Sequence, residues 1–211
     1  MILAAKGKMF CAGGDVKFFA AAEAGLPVVL KELTVYLHAA ISRFARMRAP
    51  LIAAVQATAA GAGFSLAMAA DFVIAARSAR FVMAYTGIGF APDGGSTWVL
   101  PRLIGPRRAA ELMITNRVLS APEALDWGLV SRVVEDDRVN EEARSLARTL
   151  AAGPTEAYGA VKRLLLESGQ NGIETQMERE AQEIAATART DDAREAIRAF
   201  VEKKKPRFSG K

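Results

Sequence analysis

The sequence predicts an α/β protein in which a core of largely parallel strands is followed by a helical C-terminal region. Short apolar runs that suit buried strands alternate with glycine turns and helical segments in the first part of the chain. From about residue 140 onwards the composition is helical almost throughout. The chain has 211 residues, 51% of them hydrophobic, which is enough for one domain with a sizeable core.

The first half of the chain contains three apolar runs, 2–5, 51–55 and 72–76, that predict buried strands. Between the first two, residues 27–48 carry apolar side chains at spacings of three and four, which predicts a long helix. Residues 51–70 are apolar over a length that could span a membrane. They are mostly alanine and glycine, however, so we predict a buried strand, a turn and a tightly packed helix.

The second half of the chain begins with two short predicted helices, 96–105 and 107–116. Ser120 and Glu123 have the spacing of a capping box at the start of the next helix. A strand is expected at 129–134, and residues 140–205 are helical in composition. We therefore divide the chain into a core, residues 1–135, and a helical region, residues 136–211.

Composition excludes several classes of site. Cys11 is the only cysteine, so no internal disulfide forms, and a reducing, cytoplasmic location is expected. His38 is the only histidine, so we expect neither a metal site nor a histidine-based catalytic triad, and we assign His38 no role. The net charge of +5 suits an anionic ligand but does not indicate nucleic acid.

Two glycine turns have the composition of an anion-stabilising site. The sequences CAGGD (11–15) and AAGAG (59–63) each place small residues between a predicted strand and a helix. The first N–H groups of a helix have no partner within it, so two facing turns could donate to one oxygen. The alternative is that the glycines only permit tight turns and close packing. Asp15 is expected to cap its helix.

Asp93 is the single acidic residue in the apolar and neutral stretch GFAPDGGSTWVL. Aspartate is a preferred N-cap, so one explanation is that Asp93 caps the helix beginning near Gly94. The other is that it is a general base directed into a site. The spacing alone favours the cap.

Five stretches occur in the order found in the enoyl-CoA hydratase/isomerase (crotonase) superfamily. They are ILAAKGKMFCAGGDVKFF, PLIAAVQATAAGAGFSLAMAADFVIAARSARF, GIGFAPDGGSTWVLPRLIG, LSAPEALDWGLVSRVV and EAIRAFVEKKKPRF. The resemblance implies a core of repeated ββα units wound into a spiral, a helical region that mediates trimer contacts, and an acyl-CoA thioester substrate. It implies no metal or redox cofactor, because coenzyme A is part of the substrate. Family members usually carry a further segment before the first strand seen here, which we expect the core to lack.

The resemblance also implies roles for individual residues. The backbone amides of Gly14 and Ala62 correspond to the family's oxyanion hole, and Asp93 stands where several isomerases carry their acid/base. Ser65 and Tyr85 stand where the hydratases carry two glutamates, so we expect both to line the pocket instead. The substrate-binding positions that the resemblance implies are Ala12, Gly13, Asp15, Val16, Gly61, Gly63, Ser65, Tyr85, Phe200 and Lys203.

We therefore expect an enoyl-CoA isomerase that is a homotrimer or hexamer, with no membrane or nucleic-acid partner. The FAPDGGSTWVLPR stretch is especially similar to the ring-modifying isomerases of phenylacetate breakdown, but the acyl group stays open. One alternative is an enoyl-CoA hydratase in which Asp93 activates water, with or without Tyr85. The other is a non-catalytic protein that binds acyl-CoA or RNA.

Overall fold

Eight short strands form two four-stranded sheets in the computed structural model, which describes residues 1–211. The strands are β1 (Ile2–Ala4), β2 (Met9–Cys11), β3 (Ile52–Val55), β4 (Thr58–Ala60), β5 (Phe72–Ala76), β6 (Arg80–Val82), β7 (Leu119–Ser120) and β8 (Arg132–Val134). The first sheet has the order β1-β3-β5-β8 and is parallel throughout. The second has the order β2-β4-β6-β7, and only its β6–β7 pair is antiparallel.

Nine α-helices follow or connect these strands. They are α1 (Val16–Ala21), α2 (Leu26–Arg46), α3 (Ala62–Met68), α4 (Ser96–Thr115), α5 (Ala121–Asp126), α6 (Val139–Ala151), α7 (Thr155–Ser168), α8 (Ile173–Thr187) and α9 (Asp191–Val201). Each of the pairs β1–β2, β3–β4 and β5–β6 gives one strand to each sheet and leads into a helix. This is the ββα spiral expected from the resemblance, and that prediction is confirmed.

The core of the first sheet is formed by strands that are buried on both faces. All four residues of β3 are buried, and so are the last four of β5. Strands of a parallel sheet that is covered on both sides are continuously apolar, which explains the alanine, valine and isoleucine runs. In α3, Phe64 packs against Phe81 of β6 with a ring separation of 5.7 Å. The apolar segment 51–70 therefore contains the predicted buried strand and packed helix, but the predicted turn between them also includes a second short strand, β4.

Several local predictions differ from the structure. The first strand is partly exposed rather than buried. The predicted strand at 129–134 is confined to β8, because the Leu129 and Val130 amides donate to the Ala124 carbonyl and continue the turn after α5. The two helices expected after Asp93 form one element, α4, with a kink at Gly105, where φ is 77°.

Both predicted N-terminal caps are confirmed. The Asp15 carboxylate accepts hydrogen bonds from the backbone amides of Lys17 and Phe18 at the start of α1. The Ser120 hydroxyl and the Glu123 carboxylate form the expected capping box at α5. These caps involve only residues close in the chain, which is why the sequence identified them.

The long helix α2 begins and ends close to its predicted limits and buries none of its residues completely. By length and composition it is the one helix of this chain that could cross a membrane, a test that soluble core helices also pass. Leu30, Leu33 and Leu37 nevertheless face a cavity of the protein. Their spacing of three and four is the periodicity that predicted the helix.

The chain divides into two compact units. One comprises Ile2–Phe44 and Leu51–Ala143, and the other comprises Met1, Ala45–Pro50 and Arg144–Lys211. The structural division therefore falls after Ala143, whereas the sequence placed it after residue 135. In the second unit, Arg163 of α7 forms a two-point ion pair with Glu183 of α8 at 2.7 and 2.8 Å.

The C-terminal residues are held by a buried carboxylate. Asp192, which is 2% exposed, accepts hydrogen bonds from the backbone amides of Ser209 and Gly210. The Ser209 amide is the main reason that the pKa of Asp192 lies below its usual value. The carboxylate is therefore charged at neutral pH and fixes the end of the chain against the start of α9.

Candidate active site

A cavity of about 730 Å³ lies in the first compact unit. That volume is typical of a site for a small organic ligand. Nine of the residues that the sequence analysis singled out line it: Ala12, Gly13, Gly14, Asp15, Val16, Gly61, Ala62, Tyr85 and Asp93. The turn after β2, the start of α3 and the loop before α4 therefore meet around one space.

The two glycine turns lie against each other. A Cβ atom built on Gly13 would be 3.0 Å from the Ala60 carbonyl oxygen and 3.3 Å from the Ala62 nitrogen. Gly13 also has a φ of +92°, which side chains rarely tolerate, so both its conformation and its neighbours require glycine. The close approach explains why both turns consist of small residues.

The amides of Gly14 and Ala62 are available to a ligand. Neither N–H group donates a hydrogen bond to another part of the chain. Ala62 is the first residue of α3, where a helix leaves its N–H groups without internal partners. Gly14 follows Gly13 and precedes the cap residue of α1. Two free backbone donors at the wall of one cavity are groups from which an oxyanion hole can be built.

Asp93 does not cap a helix. The N-cap of α4 is Gly95, and no side chain supplies a capping hydrogen bond there. The backbone carbonyl of Asp93 instead accepts hydrogen bonds from the amide and the hydroxyl of Ser96, at 3.3 and 2.9 Å. The carboxylate is left to interact with other side chains and with the cavity, so the capping explanation is wrong.

Ser65 and Tyr85 each donate a hydrogen bond to Asp93. The Tyr85 hydroxyl donates to Asp93 Oδ1, and the Ser65 hydroxyl donates to the Asp93 backbone carbonyl at 3.0 Å. Tyr85 lines the cavity, as expected, from the loop just after β6. Ser65 does not: it is 2% exposed and lies behind the loop, where a Cβ on Gly94 would be only 2.8 Å from its own Cβ.

Tyr85 is a hydrogen-bond donor at every physiological pH. Burial, followed by its hydrogen bond to the Asp93 carboxylate, raises the pKa of the Tyr85 phenol far above its ordinary value of 10.0. A phenol that keeps its proton cannot act as a base at neutral pH. Its effect is to hold Asp93 Oδ1 in place.

His38 is the site residue that the sequence analysis missed. Its Nε2 atom accepts a hydrogen bond from the Gly94 amide at 3.3 Å and lies 3.7 Å from Asp93 Oδ2. On α2 it directly follows Leu37, which lines the cavity. The only available signal was therefore its position at the edge of the apolar face of that helix.

Besides Ser65, three further predicted positions do not line the cavity. Gly63 packs on the backbone of Cys11, where a Cβ would collide with the Cys11 carbonyl. Phe200 and Lys203 belong to the second compact unit and do not line the cavity. Phe200 is 84% exposed, and Lys203 has a φ of +54° in the turn after α9.

Known proteins resemble the chain over its whole length. The model of the family described as enoyl-CoA hydratase/isomerase matches residues 1–211. The 1,2-epoxyphenylacetyl-CoA isomerase of Escherichia coli K12 is 38% identical over 212 residues, which cover 100% of this chain and 81% of the relative. A probable enoyl-CoA hydratase of Rhodobacter capsulatus is 39% identical over 211 residues, with the same two coverages.

A solved structure agrees with the fold. The crystal structure of an enoyl-CoA hydratase from Polaromonas sp. JS666 superposes with a TM-score of 0.94 at 35% sequence identity. The match covers 99% of this chain and 81% of that one. The resemblance identified from five sequence stretches therefore extends to the fold.

Proposed function

Because the chain belongs to the enoyl-CoA hydratase/isomerase family, we propose that it moves the double bond of an enoyl-CoA by way of a thioester enolate. The chain is an acyl-CoA enzyme of the crotonase superfamily. In our proposal Asp93 is the acid/base, and the amides of Gly14 and Ala62 hold the thioester oxygen.

One observation carries the choice of isomerisation: the cavity has a single carboxylate that is free to act. Asp15 and Asp93 are its only acidic lining residues. The Asp15 carboxylate is occupied by two amides at the start of α1. Asp93 has one oxygen bonded to Tyr85 and the other oxygen without a hydrogen bond from the protein. A single acid/base suffices for moving a proton between two carbons.

The reaction follows from these groups in two steps. The Asp93 carboxylate removes a proton from a carbon acidified by the thioester, and the electrons of the C–H bond move into the enolate. The two amides stabilise the negative charge on the thioester oxygen. The protonated Asp93 then returns a proton to a different carbon, so the double bond has moved and Asp93 is a carboxylate again. These steps need no group beyond the protein and the substrate, of which coenzyme A is part.

The cavity wall favours an apolar acyl group. Phe18, Phe19 and Phe90 form a chain of rings across it, with separations of 6.5 and 6.1 Å. The leucines of α2 continue this surface. Contact with aromatic and aliphatic side chains makes the binding free energy more favourable, because it removes apolar ligand surface from water. We therefore propose that the acyl group is an apolar chain or ring.

The alternative is hydration, which the name of the Rhodobacter capsulatus relative favours. Addition of water needs a group that holds and activates a water molecule next to the β-carbon. Tyr85 stays protonated, and Ser65 is buried behind the loop. Asp93 would have to perform the whole reaction alone, so the geometry supports isomerisation better.

Product analysis in D₂O tests the proposal. We expect an enoyl-CoA with a shifted double bond that has gained deuterium but not the mass of a water molecule. A panel of apolar and polar acyl-CoA substrates, with products identified by mass and nuclear magnetic resonance, measures this. A 3-hydroxyacyl-CoA as the main product contradicts isomerisation. Binding without turnover across the panel favours a non-catalytic role.

We also propose that the protein is a homotrimer or a dimer of trimers. The sequence has three consecutive leucines, 164–166, and a single face of a helix cannot bury all three. On α7 and α8, Leu165 and Ile184 remain 68% and 71% exposed. Such apolar surface is typical of a contact with another chain.

Light scattering at micromolar concentration is expected to give the mass of three or six chains. The double variant Leu165→Glu and Ile184→Glu should shift the mass towards one chain, because it places charges on the apolar surface. Gln170→Glu adds a charge at an exposed polar position of the same unit and serves as the control. A native protein with the mass of one chain contradicts this proposal.

A further inference from the structure

The two oxygens of the Asp93 carboxylate have different surroundings. Oδ1 accepts the hydrogen bond of the Tyr85 phenol. Oδ2 has no hydrogen-bond donor from the protein, and the Nε2 atom of the His38 imidazole lies 3.7 Å from it. Because Tyr85 keeps its proton, Oδ2 is the oxygen with the free lone pairs for a substrate proton.

His38 is more exposed to solvent than Asp93. Its side chain is 52% exposed, whereas that of Asp93 is 24% exposed. The Gly94 amide donates to Nε2, so Nε2 carries a lone pair and the neutral ring has its proton on Nδ1. An imidazole with one nitrogen 3.7 Å from a carboxylate oxygen and about half of its side chain exposed is placed to pass a proton between that oxygen and water.

We propose that His38 exchanges the proton held by Asp93 with solvent and thereby determines how much of the substrate's own proton returns to the product. This inference rests on the proposed function, because it concerns the proton that Asp93 removes from the acyl-CoA. His38 is a positioning and relay residue in this scheme; it does not touch the reacting carbons.

After Asp93 has taken the carbon-bound proton, the Oδ2–H bond breaks, the proton joins the Nε2 lone pair, and a carboxylate and an imidazolium result. The imidazolium releases one proton to water, and the reverse path gives Asp93 a proton from water. Nε2 must approach Oδ2 by about 0.5–1 Å to reach hydrogen-bond distance, and the Gly94 amide loses its acceptor while the transfer takes place.

A purely structural role for His38 predicts a different outcome. If His38 served only as an acceptor for the Gly94 amide, glutamine would replace it, because its side-chain oxygen accepts the same hydrogen bond. Glutamine cannot take up a proton at neutral pH. His38→Gln therefore keeps the acceptor and removes the relay.

The test compares the native protein, His38→Gln and Tyr36→Phe during single turnovers of an enoyl-CoA in D₂O. Tyr36 is 70% exposed on the same helix and does not line the cavity, so Tyr36→Phe is the matched control. We expect the fraction of product molecules that carry deuterium to fall several-fold in His38→Gln, with a smaller loss of turnover, and to be unchanged in Tyr36→Phe. A retained deuterium fraction in His38→Gln overturns the relay.

A second measurement protects against a misfolded variant. In His38→Ala, added imidazole is expected to restore deuterium uptake in proportion to its concentration, since the exposed site admits it. The proposal is contradicted if His38→Ala takes up as much deuterium as the native protein without imidazole and added imidazole has no effect.

The outcomes separate the relay from the proposed reaction. A native protein that shifts the double bond without deuterium uptake overturns the relay and leaves isomerisation standing. A native protein that makes 3-hydroxyacyl-CoA overturns isomerisation, while deuterium in the recovered enoyl-CoA still reports on His38. A native protein that neither turns over nor exchanges protons overturns both.

Discussion

Asp93→Asn is expected to reduce kcat by about 10²–10⁴-fold, the usual contribution of a positioned acid/base. The amide is nearly the same size, and its oxygen accepts the Tyr85 hydrogen bond in place of Oδ1. Its NH₂ group faces His38 Nε2, which is an acceptor. The loop should therefore keep its conformation while the base is lost. Steady-state kinetics and acyl-CoA affinity by calorimetry check this.

The matched comparison for this variant is Asp15→Asn. It neutralises the other acidic residue of the cavity, and asparagine caps a helix about as well as aspartate. We expect Asp15→Asn to lose much less turnover than Asp93→Asn, at similar thermal stability. Equal losses of turnover in the two variants would mean that turnover depends on the negative potential of the cavity, and that Asp93 is not the base.

Ala62→Pro is expected to lower kcat by about 10²–10³-fold, the effect of losing one oxyanion donor. Proline has no N–H group, and Ala62 is the first residue of α3, a position that proline tolerates well. The preceding Gly61, with φ 54° and ψ −125°, lies outside the helical region that a following proline disfavours. The substitution thus removes a donor at little cost to the fold.

Ala62→Ser is the control, because it keeps the N–H group and adds only a small side chain. We expect it to retain far more turnover than Ala62→Pro, and both variants to unfold at similar temperatures. Native-like kcat in a folded Ala62→Pro protein would show that this amide does not stabilise the enolate, and the proposed oxyanion hole would be wrong.

Features that depend on neighbouring residues were predictable from the sequence. The Asp15 cap and the Ser120–Glu123 capping box join residues at most three apart. The limits of α2 follow from the spacing of its leucines, and the buried strands β3 and β5 from their continuous apolar runs. The second sheet was predictable only through the family resemblance, because strands of two or three residues have no recognisable period.

By itself, then, the sequence determined the order of the first sheet's strands and of the long helices, the two glycine turns and the presence of one unexplained acid. Only the tertiary structure decided that Asp93 is not a cap, that Ser65 lies behind the loop, and that His38 reaches Asp93. The reason is distance along the chain: His38 and Gly94 are 56 residues apart, and Ser65 and Asp93 are 28 apart. Such contacts depend on how successive ββα units stack, and no local pattern of residues records that stacking.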